Sequence, residues 1–169
     1  MESYFFDVGE AEEYKTFLFE KAWLLDAVAI SKTFVMLHKI TDELIGYFTL
    51  SADTIKLTPQ EKSDGEFDEA PFMSLPAIKV GKLAINKTLS ETASRKGYGS
   101  FALFVARLKA LSTLENGVAC RFLTVDADIE YNVHTPEFYI KNGFVYNQFR
   151  KPRPSDRTVS MRKDILSRL

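Results

Sequence analysis

Apolar positions in the first part of the chain recur at a helical spacing and then give way to a strand pattern. After a short apolar start at residues 3–8, Tyr14, Phe17, Leu18, Trp23, Leu24 and Ala27 fall on one face of a helix predicted over 11–27. The aromatic residues of that face are expected in the core. Residues 32–40 (KTFVMLHKI) and 44–57 (LIGYFTLSADTIKL) are rich in apolar and β-branched side chains. Thr41-Asp42-Glu43 lies between them, so the segment predicts an antiparallel hairpin. Residues 58–70 (TPQEKSDGEFDEA) are polar, acidic and interrupted by Pro and Gly, which predicts a mobile loop.

The strand predicted over 75–85 (LPAIKVGKLAI) alternates and then turns apolar. Gly81 inside it marks a bulge, a close backbone approach or simple packing. A helix over about 99–114 is expected to bury Phe101, Phe104, Val105, Leu108 and Leu111 on one stripe, with Arg107 and Lys109 off it. Asn116-Gly117 closes that helix. Residues 120–127 read as a buried strand, and 128–133 as a connection. A short helix opens at Pro136, runs through Phe138, Tyr139 and Lys141, and ends at Asn142-Gly143. Phe144-Val145-Tyr146 opens another strand, and a last one around 158–161 follows the Pro-rich turn 151–156. No repeat or low-complexity segment interrupts the pattern. This order predicts a single domain over 1–169, of α/β or mixed α+β class. Its architecture would have three layers, with a mixed, mostly antiparallel sheet flanked by helices.

Composition narrows the class without setting the function. The chain has 169 residues, 46% of them hydrophobic and 27% charged, as an ordinary globular protein does. No apolar run reaches the length of a membrane span, and the N-terminus lacks the basic-then-apolar order of a signal peptide, which predicts no membrane association. The single Cys120 cannot form an internal disulfide, which fits a reducing cytoplasm. His38 and His134 lie far apart, and no Cys/His cluster suggests a metal site. Net charge is −1 overall, yet it runs from −9 over residues 1–70 through +2 over 71–140 to +6 over 141–169. Such asymmetry can mark an anionic partner at the basic end, or a solvated tail.

The candidate chemistry begins at Ser94-Arg95-Lys96-Gly97-Tyr98-Gly99-Ser100, a polar loop that leads straight into the long helix. Unpaired N–H groups at the positive end of a helix dipole bind phosphate. The glycines let backbone approach an anion, and Arg95 and Lys96 bring mobile positive charge. Three readings are open: a plain helix start, a G-x-G-x-x-A dinucleotide fingerprint at residues 97–102, and an acyl-CoA pyrophosphate seat. The fingerprint needs its first glycine directly after a strand, whereas many polar residues separate Ile85 from Gly97.

The chain here resembles the GNAT superfamily of acetyl-CoA-dependent N-acetyltransferases. The family's loop reads Q/R-x-x-G-x-G/A, and residues 94–99 match it except that Ser94 stands at the first position, with Arg95 beside it. The family's second signature, N-x-x-A-x-x-F-Y-x-x-x-G-F, is met by residues 132–144, with Thr135 in place of alanine. A narrower resemblance, to the GNAT toxins of toxin–antitoxin modules, rests on Phe6-Asp7-Val8-Gly9, Lys32-Thr33-Phe34-Val35, residues 46–50 and residues 81–84. Those toxins acetylate the α-amine of aminoacyl-tRNA. The resemblance implies acetyl-CoA as cosubstrate, with Leu83, Ala84 and Ile85 along the pantetheine and Arg95, Lys96, Gly97, Tyr98, Gly99 and Ser100 on the pyrophosphate. It also implies Asn132 at the pantetheine or its neighbouring loop and Tyr139 as general acid.

Each assignment has a plainer counterpart: core filling for 83–85, turn formation for Asn132, packing for Tyr139. No general base stands out. Glu91, Asp126, Glu130 and His134 are candidates that fit surface or capping roles equally well, and Cys120 reads as a small core residue. A lysine amine with pKa near 10.4 needs help losing its proton, whereas an α-amine near 8 is partly neutral already, so the missing base leans towards an α-amine acceptor. The expected function is transfer of acetyl to a primary amine, with aminoacyl-tRNA the sharper option and a small-molecule or protein amine the broader one. A non-catalytic CoA-sensing module is the rival from another class. An antitoxin partner and a homodimer are left open by the resemblance.

Overall fold

A computed structural model of the chain describes residues 4–65, 67–150, 153 and 155–167. In chain order the elements are α1 (Glu12–Thr16), a π-helical turn (Phe17–Lys21), α2 (Ala22–Ala27), β1 (Lys32–Leu37), β2 (Leu44–Lys56) and α3 (Pro59–Asp64). There follow β3 (Ser74–Ile85), α4 (Tyr98–Glu115), β4 (Phe122–Asp128), α5 (Thr135–Lys141), β5 (Val145–Tyr146) and β6 (Thr158–Asp164). The strands form one sheet in the order β1-β2-β3-β4-β6-β5. The β1–β2, β4–β6 and β5–β6 pairs are antiparallel, while β3 reaches its neighbour β4 through a helical crossover. The expected mixed α/β class is the one found. Two compact units divide the chain: residues 1–51 with 80–106, and residues 52–79 with 107–169.

The core of the first unit joins Phe6, Val8, Leu18, Ala22, Leu44, Tyr47 and Ala84. Tyr47 is its centre: its ring packs on Phe6 and Phe17, and its hydroxyl donates to the Tyr14 carbonyl at 2.7 Å. Aromatic burial of this size dominates a small core. The predicted helix over 11–27 exists, but the π turn inserts within it and changes the phase of its face. Leu18 and Ala22 are buried, whereas Trp23 is 58% exposed and Leu24 is also exposed. The expectation that Trp23 is core is therefore corrected. The β1–β2 hairpin pairs Lys32 with Leu50 through to Leu37 with Leu44, with a register shift after Met36. In the turn, Asp42 adopts φ +55° and the Glu43 carbonyl accepts from His38 N.

In the second unit Ile55, Leu57, Leu75, Ala77 and Phe122 form the core, with Phe67 and Ala70 against it. The acidic segment read as a mobile loop contains α3 instead. Thr58 accepts from Glu61 N while the Glu61 carboxylate accepts from Thr58 N, a complete capping box with Pro59 in the first turn. β4 and β6 pair from Phe122 with Asp164 to Asp128 with Thr158, longer than the final strand expected. Part of the Pro-rich turn before it (residues 151, 152 and 154) lies outside the described residues. Arg153 and Asp156 do close a turn there through two hydrogen bonds.

The stripe expected on α4 is also corrected. Ala102, Leu103, Ala106 and Ala110 are the buried residues, while Phe101 (54%), Phe104 and Leu108 are exposed. Small side chains at i, i+4 and i+8 let a helix lie close to what it covers, and the bulky residues turn outward.

Candidate active site

In the first unit, the final residues of β3 carry the positions expected along pantetheine: Ala84 is buried, Leu83 and Ile85 half-buried. β2 presses closely on this strand. A Cβ placed on Gly46 would clash with the Ala84 carbonyl oxygen, so only glycine fits there. At Gly81–Lys82 the ladder is intercepted by a side chain. Lys82 N donates to Thr49 Oγ1 at 3.0 Å, and a Cβ on Gly81 would sit 3.0 Å from the same oxygen. Gly81 thus marks a close approach, one of the readings its position allowed. The Lys82 ammonium lies 2.9 Å from Glu13 and 4.2 Å from the centroid of the Tyr14 ring.

Asn86 terminates β3 and is only 6% exposed. Its amide is fully engaged: Nδ2 donates to the carbonyls of Phe5 and Leu44, and Oδ1 accepts from Asp7 N and Thr88 N. Asp7 adds a second tie, accepting from Thr88 Oγ1 at 2.7 Å and Gly9 N at 2.8 Å, while its carbonyl accepts from Lys87 N. The hydrogen bonds from Gly9 N and Thr88 hold the Asp7 carboxyl below its ordinary range. Further on, Ser90 donates N–H and Oγ–H to the Glu43 carboxylate at 2.8 and 2.5 Å. Those bonds, with Thr41, hold the Glu43 carboxyl down to about 2. The Ser90 carbonyl then accepts from Ala93 N and Ser94 N, and the Tyr98 hydroxyl donates to the Ala93 carbonyl at 2.6 Å.

This scaffold delivers the loop residues to the start of α4. Gly97 adopts φ +98°, and among the described residues beyond its chain neighbours nothing lies within 4 Å of where its Cβ would be. It is glycine for its left-handed backbone, with open space above it. The first helical hydrogen bond runs from Phe101 N to the Gly97 carbonyl. Helix geometry leaves the N–H groups of Tyr98, Gly99 and Ser100 without intrahelical partners, at the positive end of an 18-residue helix. Arg95 and Lys96 are exposed, and the Arg95 guanidinium donates to the Ser94 carbonyl at 3.4 Å. A phosphate fits this arrangement: exposed cations, a first helical turn with its N–H groups unspent, and a glycine with room above it.

The second unit holds Tyr139 and Asn132. Asn132 is exposed, and its Oδ1 accepts from His134 N while its carbonyl accepts from Thr135 N and Oγ1, shaping the entry to α5. Tyr139 is 8% exposed, with edge-on contacts to Phe138 at 5.1 Å and Phe144 at 5.4 Å. Gly143, at φ +81°, turns the chain after Asn142 so that Phe144 returns to this ring and donates its N–H to the Tyr139 carbonyl. Among the described residues the Tyr139 hydroxyl has no hydrogen-bond partner. Burial, assisted by the charge of Asp128, pushes the phenol up to about 12.

The base candidates are mostly committed elsewhere. Asp126 pairs with Lys79 at 2.5 Å, Glu130 with Arg157 at 3.3 Å, and His134 with Glu137 at 2.7 Å. Glu91 is exposed. Cys120 is buried, and burial pushes its thiol up, away from nucleophilic use. Sequence reading places Glu43 in a turn and Asp7 and Thr49 in stretches of family resemblance, but gives none of them, nor Asn86, a part in shaping β3 and the loop. Asn86 did leave a trace, as a polar residue ending an apolar strand.

No family model matches the sequence, and neither does any curated protein. Solved structures do match. A mutant of KacT shares 24% identity over 92% of this chain and 84% of that one, with a TM-score of 0.67. AtaT complexed with acetyl-methionyl-tRNAfMet shares 22% over 92% and 84%, also at 0.67. AtaTR bound with acetyl-CoA shares 21% over 92% and 83%, at 0.64. The three-layer fold expected from the GNAT resemblance is therefore the fold this chain has.

Proposed function

We propose that this chain is an N-acetyltransferase that moves acetyl from acetyl-CoA directly to a primary amine, the α-amine of aminoacyl-tRNA being the acceptor that fits best. The observation that carries the reading is the helix-opening loop 94–100, built on a left-handed Gly97, in a chain with the fold of AtaT. AtaT has been solved with acetyl-CoA and with acetyl-methionyl-tRNAfMet. On this reading the two units work as one acetyltransferase domain in the cytoplasm, where both substrates occur. An antitoxin partner is part of the proposal, as AtaT is solved with the antitoxin AtaR. A homodimer is compatible with it.

Acetyl-CoA is a cosubstrate here. The N–H groups at 98–100, with Arg95 and Lys96, hold its pyrophosphate, and the main chain of Leu83, Ala84 and Ile85 accompanies the pantetheine, with Asn132 supporting it. The acceptor nitrogen, as free amine, attacks the thioester carbonyl. The new C–N bond forms, the C–S bond breaks, and the departing sulfur takes one proton. In this proposal Tyr139 is the proton donor to that sulfur, and the amide nitrogen's surplus proton restores the phenol. No net proton is consumed.

With its phenol raised to about 12, Tyr139 is protonated throughout the working range, which suits a donor and not a base. The pairing of Asp126, Glu130 and His134 supports an acceptor that needs little help to deprotonate. An α-amino group with pKa near 8 meets that condition and a lysine side chain does not. The test is acetyl transfer from labelled acetyl-CoA to charged tRNA, free amino acids, polyamines and lysine peptides. Labelled acetyl-aminoacyl-tRNA as the main product is the expected result. Tight acetyl-CoA binding with no transfer to any acceptor would leave a CoA-sensing module instead.

A further inference from the structure

Between Thr88 and Tyr98 the chain has no regular structure, yet its shape decides where the phosphate-binding N–H groups lie. Its entry is fixed by the Asn86 and Asp7 network, which ends at Thr88. Its exit is fixed by α4. Within it the bonds are internal: Ala93 N and Ser94 N to the Ser90 carbonyl, Ala93 N to Ser90 Oγ, and Tyr98 OH to the Ala93 carbonyl. These tie Ser90, Ala93, Ser94 and Tyr98 to one another. Among the described residues, and apart from Tyr98 and Phe101 at the start of α4, Glu43 is the one residue outside the segment that residues 89–97 reach by hydrogen bonds, and it is reached twice, from Ser90 N and Oγ.

We infer that Glu43 is a positioning residue for acetyl-CoA: its carboxylate pins Ser90, and through Ser90 sets the loop that receives the pyrophosphate. The inference rests on the acetyl-CoA reading above. Glu43 is itself held in place by its own turn, where its carbonyl accepts from His38 N and His38 Nδ1 lies 2.9 Å from Thr41 Oγ1. Two bonds from one carboxylate, to a backbone N–H and a hydroxyl of the same serine, fix direction as well as distance, as charge-assisted pairs do.

The sign of the effect separates this role from simple electrostatics. A carboxylate near an anion site repels the anion, so removing Glu43 for charge reasons alone would tighten acetyl-CoA binding. A pin predicts the reverse. In calorimetric titration with acetyl-CoA, Glu43→Ala and Ser90→Ala are each expected to bind roughly tenfold more weakly, and the double variant no more weakly than Glu43→Ala, because both remove one link. In steady state the loss should fall on KM for acetyl-CoA with kcat retained, and Glu43→Gln, which keeps one acceptor, should recover part of it.

Unchanged or tighter binding by a folded Glu43→Ala overturns the inference while leaving the acetyl-CoA reading intact. Absence of binding by the unaltered chain sinks that reading, and the positioning role for acetyl-CoA with it. Hydrogen exchange then reports on the pin itself, whose Ser90 N–H should exchange faster in Glu43→Ala, with core amides of β2 unchanged as proof of folding. Equal exchange at Ser90 in both proteins shows that no pin exists.

Discussion

At Tyr139 a single oxygen separates a packing role from a chemical one. Tyr139→Phe keeps the ring between Phe138 and Phe144, and the hydroxyl has no partner to lose among the described residues. Its folding stability should stay within about 0.5 kcal/mol of the parent in urea unfolding, as for a change that breaks no contact. Its kcat should fall roughly 100-fold or more, the share of a positioned proton donor. A kcat unchanged at saturating acetyl-CoA would return Tyr139 to packing alone. The raised phenol also fixes a pH signature: a group lifted to about 12 keeps its proton as pH rises until that value is neared. If the acceptor is an α-amine, as proposed, the kcat/KM profile is therefore expected to climb as that amine deprotonates near 8, then to stay level to pH 10 or so. A falling limb near 9 in the parent, absent from Tyr139→Phe, would show that the phenol is not raised. The motif names Tyr139 and, through the Gly143 turn, its contact with Phe144, whereas its burial near Asp128 follows only from the fold. Glu43 and Ser90 lie far apart in sequence, and nothing local foretells their pairing.

Among the elements, α3 and α4 show where reading by composition misleads. The acidic segment 58–70 looks like a solvated loop, yet Thr58-Pro59-Gln60-Glu61 already spells a helix start, and Glu61 is buried with Arg162 at 2.9 Å and Gln148 N at 3.1 Å. A carboxylate in an acidic run does not announce that one of its members turns inward. Burial alone would raise the Glu61 carboxyl, but the N–H groups of Thr58 and Gln148 and the charge of Arg162 outweigh it and leave it lowered. A lowered folded value means stabilisation that is complete above the unfolded value near 4.5 and lost as pH falls through the folded one. Acid unfolding should therefore begin below about pH 4.5. Glu61→Ala strands the half-buried Arg162 and should cost about 3 kcal/mol, whereas Thr58→Ala removes a cap and should cost about 1 kcal/mol. Urea unfolding at pH 7 ranks the two. Equal, small losses would mean that the ion pair is not buried in solution. On α4 the hydrophobic stripe was drawn through the largest residues, but close packing selected Ala102, Ala106 and Ala110. Bulk is a poor guide where a small face is what fits.

Over the whole molecule, the order of motifs carries the fold, since strand, loop, helix, strand and short helix follow in that order along the chain. Charge is less direct. The +6 stretch over residues 141–169 suggests a broad footprint for an anionic partner, but much of it is engaged in pairs within the chain. Arg162 is committed to Glu61, Lys163 to the Asn142 carbonyl, Arg157 to Glu130, and Arg150 lies 3.9 Å from Asp156. Burial lowers the Lys163 ammonium's affinity for its proton as well. Among the described residues of that stretch, Lys141 and Arg153 are the exposed cations outside an ion pair. A nucleic-acid partner recognised through Lys141 and Arg153 would be held by few phosphate contacts, each contributing about 0.7–0.9 to the slope of log K against log salt. Filter binding of charged tRNA between low and physiological salt should give a slope no steeper than about −3. Lys141→Ala with Arg153→Ala should then flatten that slope by nearly 2, leaving acetyl-CoA affinity alone. A slope of about −6 or steeper, insensitive to those two changes, would place the contacts on other cations and take the basic C-terminal stretch out of acceptor binding.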